Sequence, residues 1–318
     1  MRKLVLAVTG ALALVGLVAW FGGRSIGAEV LHAGWAIPAN ILVHMAQLFC
    51  AAMAWRLLVG DPSRTRWQFL RLRCIREGVN SLLPVAQIGG PLVAIRVMIA
   101  EGIPGSIAAA GTTLDLTVEA AMQLVYTLLG LAILGGLGIQ PEWVRWVEGG
   151  LLLGVLGVLG FVLAQRAGLM RLIEGLLQWL HKLFPRLSFE SLKGLHDELM
   201  RLQQDRWAMA KAAGLQICAW SGGCFEVYLG LLAMGHPVTL PQAFVIECLG
   251  MAARSAGFAV PGSLGVQEGG FILVGGLFGL APETALALSM VKRLRELLVG
   301  VAGLLLWQRV EIRKWLRA

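Results

Sequence analysis

Apolar residues run along this chain in long uninterrupted stretches separated by polar connections, with no period-two alternation. A helix needs about 20 predominantly apolar residues to cross a bilayer. The pattern predicts six full spans, over 4–22, 35–59, 104–137, 147–164, 208–234 and 281–307. Two further apolar stretches, 80–91 and 258–270, cannot continue as helix. In the first, Pro84 and Pro91 remove backbone donors and clash with the preceding turn, and Gly89-Gly90 lets the chain bend. In the second, Pro261-Gly262 does the same. Inside lipid such a break is tolerated only where protein or a watery cavity covers the freed backbone groups. Each break is therefore expected to divide a re-entrant helical hairpin. The first, after a basic connection at 61–76, is entered from the cytoplasmic side with limbs of about ten residues, too short to span. The second, with limbs at 240–257 and 264–279, is entered from outside.

Composition narrows the class. The 318 residues are 57% hydrophobic and 14% charged, where soluble domains carry about 25% charge. The expected fold is all-α: a polytopic membrane protein of six spans and two re-entrant hairpins. The net charge of +8 does not point to nucleic acid, because most Lys and Arg gather at the termini, at 61–76 and at 166–211. Lys and Arg concentrate in cytoplasmic connections, and that distribution places both termini in the cytoplasm. Within 166–211, an apolar stripe at Leu169, Leu172, Ile173, Leu176, Leu177, Leu180 and Phe184 predicts an amphipathic interfacial helix. The five cysteines show no metal spacing, and neither a disulfide framework, a metal nor a cofactor is expected.

Polar residues within the spans carry the candidate chemistry. Asn40, His44 and Gln47 share one helix face, as interhelical hydrogen-bonding groups or as a cavity lining. Asp115, Glu119, Gln123 and Tyr126 share another, Glu226 lies inside the fifth span, and Lys292, Arg293, Arg295 and Glu296 lie mid-span in the sixth. Ionisable groups at that depth are costly and default to functional hypotheses.

An offset of 177 residues places Pro84 on Pro261, Gly102 on Gly279, Glu119 on Glu296 and Asp115 on Lys292. Each half then reads as a broken hairpin, a Gly-containing turn and a long charged helix: 61–137 and 235–318, with 1–60 before and 138–234 between. The halves face opposite ways, which is an inverted-topology repeat, an architecture of alternating-access transporters. The expectation for the charges is that Asp115 and Glu119 pair with Lys292, Arg293 or Arg295 across the pseudo-twofold axis. A fixed structural lock and a mobile coupling site fit equally.

The runs Arg76-Glu77-Gly78-Val79-Asn80-Ser81-Leu82-Leu83-Pro84-Val85-Ala86-Gln87-Ile88-Gly89-Gly90 and Val260-Pro261-Gly262-Ser263-Leu264-Gly265-Val266-Gln267-Glu268 resemble the signature stretches of the lysylphosphatidylglycerol synthase transmembrane (flippase-like) family. The first also resembles its hopanoid-biosynthesis-associated branch. The resemblance implies a bacterial inner-membrane protein that moves a lipid, with hopanoid transport toward the outer membrane for that branch. No aminoacyl-transfer domain follows in this sequence, so transfer chemistry is not expected.

The leading expectation is thus a lipid transporter and not an enzyme. The hairpins meet at midplane with helix N-termini near Gly90 and Ser263 offering amide donors. Glu77, Asn80, Gln87, Arg96, Gln267 and Glu268 line the polar path, with Arg254 as the phosphate contact. A neutral polyhydroxylated head would engage the carboxylates and amides instead. Expected partners are membrane lipids, with lipid-synthesis or transport proteins and a second copy as further candidates. A lipid-modifying membrane enzyme, with Asp115 and Glu119 as acid and base, and a non-transporting scaffold are the alternatives.

Overall fold

The computed structural model describes residues 28, 30–31, 33–61, 63–83, 89–139, 142, 144–167, 194–257, 260, 263–315. These form ten helices and, among the described residues, no strand. In chain order they are α1 (Ala36–Val59), α2 (Arg66–Leu82), α3 (Gly89–Ala100), α4 (Gly105–Gly136), α5 (Val144–Arg166), α6 (Leu195–Gln203), α7 (Arg206–Ala233), α8 (Leu240–Ala256), α9 (Val266–Gly276) and α10 (Pro282–Trp315). Three of them, α1, α4 and α7, are long and apolar enough to cross a membrane by length and composition. The first predicted span, the amphipathic stripe at 169–184, and Pro84, Gln87 and Pro261 lie outside the described residues.

Both interrupted stretches fall between a longer and a shorter helix, α2 then α3 and α8 then α9. The longer limb has 17 residues in each case, where about ten were expected for the first and 240–257 for the second. The first extends back through the basic connection because Thr65 and Gln68 form a reciprocal capping box that starts a helix at Arg66. Thr239 and Gln242 do the same for α8. Both longer limbs thus open on a Thr-x-x-Gln start. Gly102 and Gly279, matched by the 177 offset, both have positive φ, at 87° and 76°, and each precedes a long helix.

Packing links the halves crosswise. α2 packs along α10, α8 packs along α4, and the most extensive contact joins α1 to α7. The α2–α10 crossing is close because it is made by glycine. A Cβ on Gly303 would overlap the Cys74 carbonyl oxygen, and one on Gly78 would come within 2.5 Å of the Gly300 carbonyl oxygen. Four apolar clusters result among the described residues, two of them built on the α2–α3 and α8–α9 pairs. One gathers Trp55, Phe69, Leu72 and Met98 from α1, α2 and α3. The other gathers Val227, Ile246, Phe271 and Leu288 from α7, α8, α9 and α10. The charged side chains lie between them. Outside, α5 carries an exposed apolar face at Leu152, Leu153, Leu156, Leu159 and Leu163, a surface matched to lipid tails, and Gly154 seats it against Leu124 of α4.

Candidate functional site

A cavity of about 350 Å³ opens between these two clusters, walled by α1, α2, α4, α7, α8 and α10. Its lining is rich in charged side chains, and all of them but Glu77 form ion pairs among the described residues.

On one side α2 and α4 face each other with complementary spacing. Arg73 and Arg76 are three residues apart, Asp115 and Glu119 four, so each pair projects from one face. Arg76 donates through Nη1 to Asp115 Oδ2 at 2.5 Å and through Nη2 to Glu119 Oε2 at 2.6 Å. Arg73 donates to Glu119 Oε1 at 2.7 Å and more loosely, at 3.3 Å, to Asp115 Oδ2. The other Asp115 oxygen accepts from Gln216 at 3.2 Å. Arg76 also lies over the Trp55 ring, 5.7 Å from its centroid. Asp115 is fully buried, and a carboxylate there is tolerable only with cations and donors on both oxygens.

On the other side α10 supplies the cations. Lys292 Nζ bridges Glu247 of α8, at 2.9 and 2.8 Å, and Glu226 Oε2 of α7, at 3.0 Å. Arg295 also donates to Glu226 Oε2, and Gln47 Nε2 of α1 donates to Glu226 Oε1 at 2.6 Å. Arg254 donates to Glu296 and, at 2.7 Å, to Gln267. Gly222 and Gly223 make this convergence possible: a Cβ on Gly223 would overlap the Glu247 carboxylate, and one on Gly222 the Gln47 side chain.

The structure therefore pairs the charges differently from the sequence expectation. Asp115 and Glu119 bind Arg73 and Arg76, and Lys292 binds Glu226 and Glu247. Arg293 binds Glu268 at 2.9 Å, and Arg295 reaches Glu226 and Glu296. The reason is reach: the carboxylates of α4 face the arginines of α2, and those of α7 and α8 face the cations of α10.

The helix N-termini at the breaks are also already engaged. The Gly90 amide donates to Asn80 Oδ1 at 2.9 Å, so Asn80 caps α3 from the end of α2. The Gly265 amide donates to Glu268 Oε2 at 2.7 Å. Ser263, at φ 49°, folds back to donate its hydroxyl to the Arg254 and Gly257 carbonyl oxygens. Each break thus has one of its amides occupied by a side chain of the protein itself.

Of the residues singled out from sequence, His44, Gln47, Glu77, Asn80, Glu119, Gln123, Arg254, Ser263, Lys292, Arg295 and Glu296 line the cavity. Glu77 accepts the Ser81 hydroxyl at 3.4 Å and has no ion pair among the described residues. Asp115, Glu226, Gln267, Glu268 and Arg293 stand behind the lining as its support. Arg96 does not reach it, being largely exposed and 3.5 Å from Glu311. Gly89 and Gly90 open α3. The charged and polar lining residues that sequence reasoning missed are Arg73, Arg76, Gln216, Trp220, Glu247 and Ser255. Among the described residues no three His, Cys, Asp or Glu side chains converge as metal donors.

Apolar helices enclosing a charge-lined cavity define a helical membrane-embedded protein. Its sequence profile places it further: the chain belongs to the family described as the lysylphosphatidylglycerol synthase TM region, matched over residues 4–303. Two relatives from Methanothermobacter thermautotrophicus, both described as UPF0104 membrane protein, are 22% identical over 320 residues and 24% over 324. Each alignment covers 92% of this chain and 89% of the relative. No solved structure matches.

Proposed function

We propose that this protein is a lipid transporter of the bacterial inner membrane, carrying a lipid headgroup through the charged cavity while the tails follow the apolar outer faces. The observation that carries this reading is the cavity itself. About 350 Å³ accommodates a headgroup, since small-ligand pockets start near 300 Å³, and a lining of paired charges excludes acyl chains. Membership of a lipid-related membrane family supports it. The α2–α3 and α8–α9 pairs then act as re-entrant hairpins entering from opposite faces, in an inverted repeat with both termini cytoplasmic.

The lining favours a hydroxyl-rich head, such as that of a hopanoid polyol, over a phosphate. A phosphate at Arg254 would have to displace Glu296 and Gln267. A hydroxyl instead adds to the spare lone pairs of Glu77 and Asn80 without breaking an ion pair. Catalysis is not part of the proposal, because Asp115 and Glu119, the pair offered by spacing as acid and base, both clamp arginines.

The test is reconstitution of the purified protein in liposomes containing fluorescent phospholipid or fluorescent hopanoid polyol, probed with a membrane-impermeant quencher. Protein-dependent movement, faster for the polyol, is the expected result. A chemically altered lipid would identify an enzyme, and neither movement nor product would leave a scaffold.

A further inference from the structure

We propose that His44 is a proton-binding site in the cavity wall, and that its proton, resting on the lipid-transport reading, is coupled to the transport cycle. His44 is 8% exposed, and neither ring nitrogen has a hydrogen-bond partner. Its Nδ1 is 3.5 Å from Glu226 Oε1. One turn away on the same face, Asn40 is fully buried with neither amide atom bonded. Buried polar groups are nearly always satisfied, so two such side chains in succession mark a place with hydrogen-bonding capacity to spare.

The charges around it point to the species involved. From α7, His44 faces Glu226; from α10, Lys292 and Arg295 approach through that carboxylate. From α8 comes Glu247, with Arg254 and, from α10, Glu296 further along the wall. Across the cavity α2 presents Arg73, Arg76 and Glu77, and α4 presents Glu119. With Asp115, Glu268 and Arg293 behind the lining, carboxylates outnumber the Lys and Arg side chains by one. A neutral imidazole leaves that excess in place, and a protonated one removes it.

Protonation makes both ring nitrogens donors and gives Glu226 a third cation. Glu226 already holds Lys292 and Arg295 on one oxygen and Gln47 on the other. Lys292 and Arg295 each have a second carboxylate, Glu247 and Glu296. The proton thus shifts both toward those partners and loosens α10 from α7, the change a gating step requires. Imidazole is the side chain whose charge change falls between about pH 5 and 8, which sets the range to be searched.

The test uses the full chain in lipid nanodiscs with ¹⁵N-labelled histidine, compared with His44→Gln to assign the signal. The expected result is a signal, absent from His44→Gln, that passes from a neutral to a doubly protonated pattern within that range. The same pair is compared for lipid movement in liposomes across the range. The wild-type rate is expected to change with pH and the His44→Gln profile to be flat. A His44 signal that never titrates overturns the proton site. A titrating signal with the same pH profile in both proteins overturns the coupling. Absence of lipid movement in either protein removes the transport reading and with it the coupling, while the titration still decides the site.

Discussion

Arg76 bridges two carboxylates of α4, one of which has no solvent contact, so its contribution to stability is testable. Removing one partner of a buried ion pair costs about 3–5 kcal/mol because the other charge is stranded. Arg76→Gln is expected to lose stability of that order in denaturant titrations in detergent, and Arg76→Lys to recover part of it, since one ammonium cannot reproduce a forked contact. Asn80 is predicted to act as a cap: Asn80→Ala should cost about 1 kcal/mol, and Asn80→Asp, which keeps the acceptor, much less. Asp115 and Glu119 were legible in the sequence because carboxylates stand out in an apolar run. Arg73 and Arg76 were not, because arginines in a basic stretch read as a cytoplasmic connection. Their spacing of three, matched to the spacing of four on α4, was the available signal. Glu247 was equally visible in its apolar run, and was passed over because that run was read as a hairpin limb.

At the scale of elements, the close crossing of α2 and α10 depends on Gly78 and Gly303. Gly303→Leu must push the helices apart, and overpacking of this kind costs about 1–3 kcal/mol or more. The expected outcome is a lower melting temperature, with the ion pairs of α2 and α4 retained. Gly223→Ala is expected to act more locally, displacing Glu247 from Lys292 and reducing lipid movement more than stability. The breaks themselves were readable from proline and glycine, which forbid helix by covalent geometry. The length of α2 was not, because a capping box and tertiary contact carried it through residues whose charge suggested a loop. The two Thr-x-x-Gln starts were present in the sequence, but recognising them as matched required both helices to be seen.

Across the whole molecule, the proposed repeat rests on the 177-residue offset, and the paired positive-φ turns at Gly102 and Gly279 are consistent with it. The partner choice of the charges was not legible in the sequence, because periodicity fixes which face a residue occupies and says nothing of which neighbour that face meets. Reporter fusions at each end test the proposed orientation, with both expected on the cytoplasmic side. The claim that the cavity is the headgroup's path is tested most directly at Ser255, an exposed residue of its lining. With the five native cysteines replaced, Ser255→Cys is reconstituted, reacted to completion with a charged thiol reagent, and assayed for lipid movement. Movement should fall to that of empty vesicles on modification and return when the adduct is reduced off. An unchanged rate in the fully modified protein would contradict passage through this cavity.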